Sequence, residues 1–315
     1  MTTPSSSPNT VLITGATSGI GRHTAIDLAK RGYRVFASGR NLAALAELEA
    51  SAHSNLTTIH LDVTDSGSIE RAHQHIALAT DSYGVDILIN NAGYGDLGPI
   101  ELATDDDLRR QFDTNVFGLM AVTRAFLPSM RARGSGRIIN VSSVGGRITM
   151  PMFGIYSSSK YAVEALSDSL RMEMAAFGIQ VILIEPGPIR TNFSQSAIAR
   201  ASKHSNEDGP YATVIDRSEK MASFAERASV GPEVISRAIR KAMTSRWPRA
   251  RYVAPFRGRL MIALTTIMPT RLSDYILRMA AGFTRKNLTT ANLAVPTTVV
   301  ASSPKSQPRR ASTGG

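Results

Sequence analysis

Cysteine is absent from this 315-residue chain, which excludes a disulfide framework, a thiolate metal site and a thiol nucleophile together. A chain without cysteine suits a reducing compartment, so a cytoplasmic location is the expectation. Aromatic residues are scarce at 6%, with a single tryptophan. Long apolar runs are missing too. The longest late one, LMIALTTIMP from Leu260, is about half of what a bilayer-spanning helix needs. Residues 1–9 have neither the basic start nor the apolar centre of a signal peptide and read as a loose leader. The chain does have a 43% hydrophobic fraction and 19% charge, the composition of a folded globular protein. Its length suits one large domain with appendages.

Acidic residues are nearly missing from one region. Between positions 236 and 286 there are twelve Arg or Lys against one acid, Asp274, so this stretch carries the whole formal net charge of +11 and the rest sums to zero. A neutral body with a basic C-terminal appendage differs from a nucleic-acid-binding fold, and no reader motif accompanies the charge. Nucleic acid is not expected as a partner. RGRLMIALTTIMPTRLSDYILRMAAGFTRK mixes apolar runs with arginines at both ends. A helical extension over 256–286 is expected, in peripheral contact with a membrane or packed over the substrate mouth or a partner subunit. The Pro-, Ser- and Thr-rich residues 287–315 read as disordered.

The body alternates strand and helix. VLIT from Val11 is a continuous β-rich run of the kind buried in a parallel sheet. Apolar Ile20, Ala25, Leu28 and Ala29 then mark one helix face, Gly32 ends it, and RVFAS is a second strand. Helices are expected over 41–52, 65–80, 104–132 with an interruption near Asn115, 156–177, 213–228 and 232–245. Further strands are expected at LTTIHLDV, DILIN, GRIINVSS and QVILIEP. The pattern predicts an α/β fold, a doubly wound parallel sheet of Rossmann type in three α/β/α layers, as a single domain over 10–255. Residues 192–230, polar in their first part, read as a substrate lid.

Three glycines, Gly15, Gly19 and Gly21, follow the first strand and open the first helix in TGATSGIG. Gly15 allows a tight turn, and Gly19 and Gly21 let backbone and helix approach a pyrophosphate at the positive helix N-terminus. Cofactor choice follows from the end of the second strand, ASGR. An NAD site usually places an acid there to accept from the ribose 2′-hydroxyl. Here the acid is missing, Gly39 leaves room, and Arg40 offers a planar fork suited to a 2′-phosphate. NADP(H) is therefore expected rather than NAD(H). Farther on, Tyr156 and Lys160 stand four apart and share a helix face. A phenol ionises near pH 10, and a neighbouring ammonium lowers that value.

The spacing TGxxxGIG, the loop NNAG at 90–93, Asn115, Ser143 and Tyr156-Ser-Ser-Ser-Lys160 together resemble the short-chain dehydrogenase/reductase family. NAGYGDLGPIE, SVGGRITMP and EPGPIRTNF resemble its 17β-hydroxysteroid and retinol dehydrogenase-like branch. The resemblance implies an oxidoreductase moving hydride between nicotinamide and a lipophilic carbonyl or alcohol. It implies that Tyr156 is the acid/base, that Ser143 bonds the substrate oxygen, that Lys160 also holds the nicotinamide ribose, and that Asn115 supports a proton relay through water. Ser142 competes for the serine role; the family spacing favours Ser143, while strand alternation does not decide. The implied cofactor site comprises Gly15, Thr17, Ser18, Gly19, Ile20, Gly21, Arg40, Asp62, Val63, Asn91, Ala92, Gly93, Tyr156, Lys160, Pro186, Gly187, Ile189 and Thr191. Family members often form dimers or tetramers through the helices at 104–132 and 156–177.

Substrate-pocket candidates are Leu97, Met150, Met152, Phe153 and Phe193, apolar and adaptable; core or dimer contact is the equal alternative for the same residues. His204, Glu207 and Asp208 fall in the lid, and their spacing makes no metal site. A nucleotide-sensing protein that binds cofactor without turnover is the alternative; a filled set of catalytic positions argues for the enzyme.

Overall fold

The computed structural model describes residues 9–51, 53–191, 210–217, 229–285 and 287–288. The leader up to residue 8, most of the expected lid, Phe193, His204, Glu207, Asp208 and nearly all of the expected tail lie outside the described residues.

The strands are β1 (Thr10–Ile13), β2 (Arg34–Gly39), β3 (Leu56–His60), β4 (Ile87–Asn90), β5 (Gly136–Val141), β6 (Ile179–Pro186) and β7 (Arg251–Ala254). They form one sheet in the order β3-β2-β1-β4-β5-β6-β7, and every adjacent pair is parallel. The strand order reverses between β1 and β4, the topological switch at whose carboxyl ends open α/β sheets bind ligands. The helices are α1 (Gly19–Lys30), α2 (Leu42–Ala50), α3 (Ser66–Ala79), α4 (Asp105–Phe112), α5 (Leu119–Arg133), α6 (Gly154–Ala175), α7 (Glu233–Thr244), α8 (Phe256–Ile267) and α9 (Thr270–Ala280). Residues 212–217 are also helical.

Alternation along the strands divides the core in two. Val11 and Ile13 face Leu28 of α1, Leu48 of α2 and Ile239 of α7. Leu12 between them faces the other way, into a cluster with Ile76 of α3, Phe126 of α5 and Leu170 of α6. This two-faced burial accounts for the near-continuous apolar strands and makes the expected three layers.

The strand after LTTIH stops at His60, and the one after GRIIN stops at Val141, so Asp62, Val63, Ser142 and Ser143 stand on loops at the sheet's carboxyl edge. The interruption near Asn115 is a π-helical turn, Asp113–Gly118, joining α4 to α5; such turns recur at functional sites. Helix α6 begins at Gly154, two residues before the expected start. The seventh strand has no counterpart among the expected ones. RYVA is short, carries an arginine, and is half-exposed over three of its four positions, so it shows no buried-strand pattern.

Candidate active site

The turn after β1 and the loop after β4 are braced against each other. The Thr14 hydroxyl accepts the backbone N–H groups of Asn91 and Ala92, both at 3.0 Å. The Asn91 amide donates in return to the carbonyls of Thr14 at 3.0 Å and Gly15 at 3.1 Å. Gly15 has φ +67°, and a Cβ there would lie 2.7 Å from the Ala92 Cα. Only glycine meets both demands. Ser18 sits at the N-cap of α1 without capping it through its side chain, which leaves the first-turn N–H groups for an anion.

Gly21 has a different role from the expected one. It does not line the cavity; a Cβ there would come within 2.4 Å of the Gly15 carbonyl oxygen and 2.5 Å of the Asn91 amide nitrogen. It admits α1 to the turn rather than admitting a ligand to the helix.

At the end of β2, a Cβ on Gly39 would lie 2.6 Å from the Thr17 Cγ2. Thr17 thus fills the space that an acid would need. Arg40 is exposed and reaches Asp62 at 3.6 Å. Burial works to raise the Asp62 pKa, but hydrogen bonds from Thr64 and the nearby Arg40 charge outweigh it and hold the carboxyl below its usual value. The guanidinium is on the cavity wall, and among the described residues it has only a surface ion pair to give up; such pairs contribute little.

The catalytic candidates come from three elements. Tyr156 and Lys160 lie on the first turns of α6 and are buried. The Lys160 ammonium crosses to the end of β5 and donates to the Val141 carbonyl at 2.9 Å. Ser143 accepts from the Gly145 N–H at 2.9 Å and is hydrogen-bonded to the Tyr156 phenol, which favours it over Ser142 for contact with Tyr156. Burial pushes the phenol up to about 12, against the lowering effect of that bond. The expected lowering by Lys160 does not describe this structure. Burial pushes the ammonium itself down to about 8, opposed by the Glu164 charge, and its bond is to the Val141 carbonyl.

Asn115 is fully buried in the π-turn and stays behind the cavity wall. Its side chain accepts from the Tyr94 N–H at 3.1 Å and donates to the Tyr94 carbonyl at 3.0 Å and the Ser159 hydroxyl at 3.0 Å. Gln111, one helical turn earlier, donates to the same Tyr94 carbonyl at 2.8 Å and accepts from the Asp96 N–H at 2.7 Å. Together they fix the loop after β4, and no local sequence signal marks Gln111 for this task.

Behind Lys160 lies an ion cluster that spacing does not reveal. Arg251 of β7 meets Glu164 of α6 at 3.0 Å, Asp168 at 2.6 Å and the fully buried Glu185 of β6 at 3.1 Å. Arg147 reaches Glu185 at 3.4 Å. Burial raises both glutamates from their ordinary values, Glu185 to about 7; Glu164 adds to the effect on Glu185, and the two arginines oppose it.

All but two of the expected catalytic and cofactor residues line a single cavity of about 760 Å³, the exceptions being Gly21 and Asn115. It runs from Arg40 and Asp62 past the glycine turn and Thr191 to Ser143 and Tyr156, then on to Leu97, Met150, Met152 and Phe153. Ser142, Met261 and Ala281 also line it. The glycine cradle and the open helix end fit the phosphates of a dinucleotide.

The short chain dehydrogenase family model matches residues 9–202. The chain belongs to the short-chain dehydrogenase family. Its relatives place it in the family's retinol and steroid dehydrogenase-like branch. It is 35% identical over 281 residues to retinol dehydrogenase 5 of Homo sapiens, covering 85% of this chain and 87% of that one. It is 32% identical over 269 residues to the NADPH-dependent 3-dehydrocapnine reductase of Ornithobacterium rhinotracheale, covering 84% and 94%. A crystal structure of a short-chain dehydrogenase from Streptomyces avermitilis superposes with a TM-score of 0.72 at 31% identity, over 88% of this chain and 100% of that one. The family and its Rossmann-type fold make the protein an oxidoreductase that binds a nicotinamide dinucleotide.

Proposed function

We propose that the protein is an NADP(H)-dependent oxidoreductase that interconverts a carbonyl and an alcohol on a lipophilic substrate of steroid, retinoid or fatty type. One observation carries the reading: Arg40, the glycine turn, Ser143, Tyr156 and Lys160 line a single cavity whose far end is methionine and phenylalanine. The nicotinamide ring of a bound cofactor supplies or accepts hydride. Tyr156, with its phenol near 12, holds its proton at neutral pH and gives it to the substrate oxygen in reduction. Ser143 hydrogen-bonds that oxygen where negative charge develops. The Lys160 ammonium, near 8, remains mostly charged at neutral pH and is held at the end of β5 by its bond to the Val141 carbonyl. Asn115 holds the Tyr94 backbone, the platform for the proton relay in this reading.

The relatives named above support the cofactor and the substrate class: one is named as NADPH-dependent and another for retinol. A dimer or tetramer belongs to the same reading, since Phe117 in the turn before α5 and Tyr161 and Met172 on α6 are exposed. A nucleotide sensor without turnover would leave the Ser143–Tyr156 pair without a task.

The test is NADPH consumption with a panel of lipophilic ketones and aldehydes, repeated with NADH. Turnover with NADPH at a kcat/KM at least about tenfold above NADH is expected, since a charge-assisted contact to the 2′-phosphate contributes about 1.5–3 kcal/mol. Equal use of both cofactors would refute the Arg40 assignment. Cofactor binding with no turnover on any substrate would favour the sensor.

A further inference from the structure

Glu164 stands one helical turn beyond Lys160 on α6, so the two share a face of the helix. Both are buried, at 5% and 6% exposure. Gly146, in the loop after β5, packs into the notch beside them. A Cβ there would lie 3.0 Å from the Glu164 Cγ, 3.0 Å from the Lys160 carbonyl oxygen and 2.8 Å from the Ser142 hydroxyl oxygen. The absence of that Cβ lets Ser142 approach Glu164; burial acts against the charge on the carboxylate, and the Ser142 hydroxyl favours it. Glu164 Oε2 accepts from the Arg251 guanidinium at 3.0 Å. Ser142 thereby has a task distinct from that of Ser143, which bonds the phenol.

Anchoring β7 to α6 does not by itself call for this carboxylate. Asp168, one further turn along, meets Arg251 at 2.6 Å and is part-exposed, where desolvation costs little. Glu164 is in the interior, where a carboxylate is harder to accommodate. What the interior position adds is nearness to a buried cation. The Lys160 ammonium donates to the Val141 carbonyl, a neutral acceptor; burial works against its charge, and Glu164 opposes that effect. The charged groups around Glu164 are Lys160 and Asp168 of its own helix, Arg251 of β7, Arg147 of the loop after β5 and Glu185 of β6. Tyr156, one turn before Lys160 on the same face, is neutral below about 12. Of the two glutamates Glu185 is fully buried, and the Glu164 charge adds to the burial that pushes it up to about 7. A proton taken up by the cluster near neutrality therefore resides on Glu185, and Glu164 stays ionised.

We propose that Glu164 is a positioning residue for the reaction: set by Ser142 and Arg251, its carboxylate is the counter-charge that keeps the buried Lys160 side chain an ammonium at the cavity wall. An ammonium has three N–H donors. One is used on Val141, and the charged form keeps the others for the cavity that Lys160 lines. The consequence for turnover rests on the catalytic reading above; the coupling of the two charges does not.

The test follows the Lys160 Cε resonance by NMR against pH in the full chain labelled at lysine, assigned by its loss in Lys160→Met. Glu164→Gln should lower the midpoint by about one unit, the lower end of the effect of a single nearby opposite charge. Glu164→Asp, which restores the charge, should recover most of that shift. Asp168→Asn removes an acid from the same arginine but lies about 12 Å from Lys160 along the helix, and should leave the midpoint in place. With a carbonyl substrate, the basic limb of the kcat profile should move down with the midpoint in Glu164→Gln. An unchanged midpoint in Glu164→Gln would overturn the proposal, as would an equal shift in Asp168→Asn, the mark of a cluster that is merely loosened. If Glu164→Gln does not fold, the reciprocal measurement decides. In Lys160→Met the Glu164 carboxyl titration, assigned by its loss in Glu164→Asp, should rise by the same amount, since a coupling acts equally in both directions; no rise would overturn the proposal too. Midpoints that shift as expected in a protein with no turnover on any carbonyl would overturn the catalytic reading and leave the charge coupling in place.

Discussion

The glycine turn at the start of the chain and the helical hairpin near its end meet the same cavity in opposite ways. The turn is shaped by backbone: Gly15 and Gly21 remove side chains so that β1, α1 and the loop after β4 close to within contact, and Thr14 and Asn91 brace them with four hydrogen bonds. The hairpin acts through side chains: Met261 and Ala281 turn to the cavity while Phe256, Leu260, Leu264 and Ile267 turn outward. A site for a phosphate chain needs fixed N–H groups in fixed places. A site for lipophilic molecules needs apolar area that can adapt. The two regions divide the cavity between these requirements.

The largest difference in stability is expected at Arg251, in the last strand of the sheet. Arg251→Met leaves Glu164, Asp168 and the fully buried Glu185 short of a cation. It should lower unfolding stability by about 3 kcal/mol, in line with breaking a buried ion cluster from one side, as read by urea denaturation. Leu264→Ser on the outer face of α8 should change stability by less than about 0.5 kcal/mol. If the two substitutions cost the same, the contrast between packed sheet and open hairpin fails.

Next in size is the glycine turn. Gly21→Ala places a Cβ against the Gly15 carbonyl and the Asn91 amide. It should weaken NADPH binding more than about tenfold, with a stability loss of about 1–3 kcal/mol from overpacking, as measured by fluorescence titration and thermal melting. Unchanged affinity would mean that the close approach of α1 is not what shapes the cradle.

The buried ammonium yields a smaller effect with a defined sign. Lys160 falls from 10.5 in the unfolded chain to about 8 when folded. Between those values the unfolded state binds more protons, so stability rises with pH across that window. Below about pH 8 the cost of burying the charge is fully present; above about 10.5 it is gone. Lys160→Met should therefore be more stable than the unmodified protein at pH 7, by about 1–2 kcal/mol, with the gap closing from pH 8 to 10.5. Its turnover should be lost at every pH. A variant that is less stable at pH 7 would show that the bond to the Val141 carbonyl outweighs desolvation.

The smallest expected effect is at Arg40. Arg40→Ala should lower NADPH affinity about tenfold or more and leave NADH affinity within about twofold, because a 2′-phosphate is the group the guanidinium fits. Equal losses for both cofactors would assign Arg40 to its ion pair with Asp62 instead.

Much of this site can be read from neighbouring letters. Gly15, Gly19, Tyr156 and Lys160 act within a turn or a helix face, so fixed spacing carries their geometry, and alternation with two-faced burial carries the sheet. What stays hidden depends on distant pairings. Arg251 joins Glu164 and Glu185 only once β7 lies beside β6, and RYVA carries too little apolar pattern to announce a strand. Gln111 is invisible for the same reason: its partners Tyr94 and Asp96 come from the loop after β4. Spacing misleads at the Tyr156 phenol because it shows that Lys160 is near but not that burial is the stronger effect on both.

The measurement that bears most directly on the account compares cofactor binding and carbonyl reduction in the Tyr156→Phe variant. Phenylalanine keeps the ring and removes the proton donor. The account predicts NADPH affinity within about threefold of the unmodified protein and a kcat lower by about 10²–10⁴, the range for a lost general acid. A variant that reduces substrate at the unmodified rate would contradict the assignment of Tyr156 as the proton donor and, with it, the reaction proposed for this cavity.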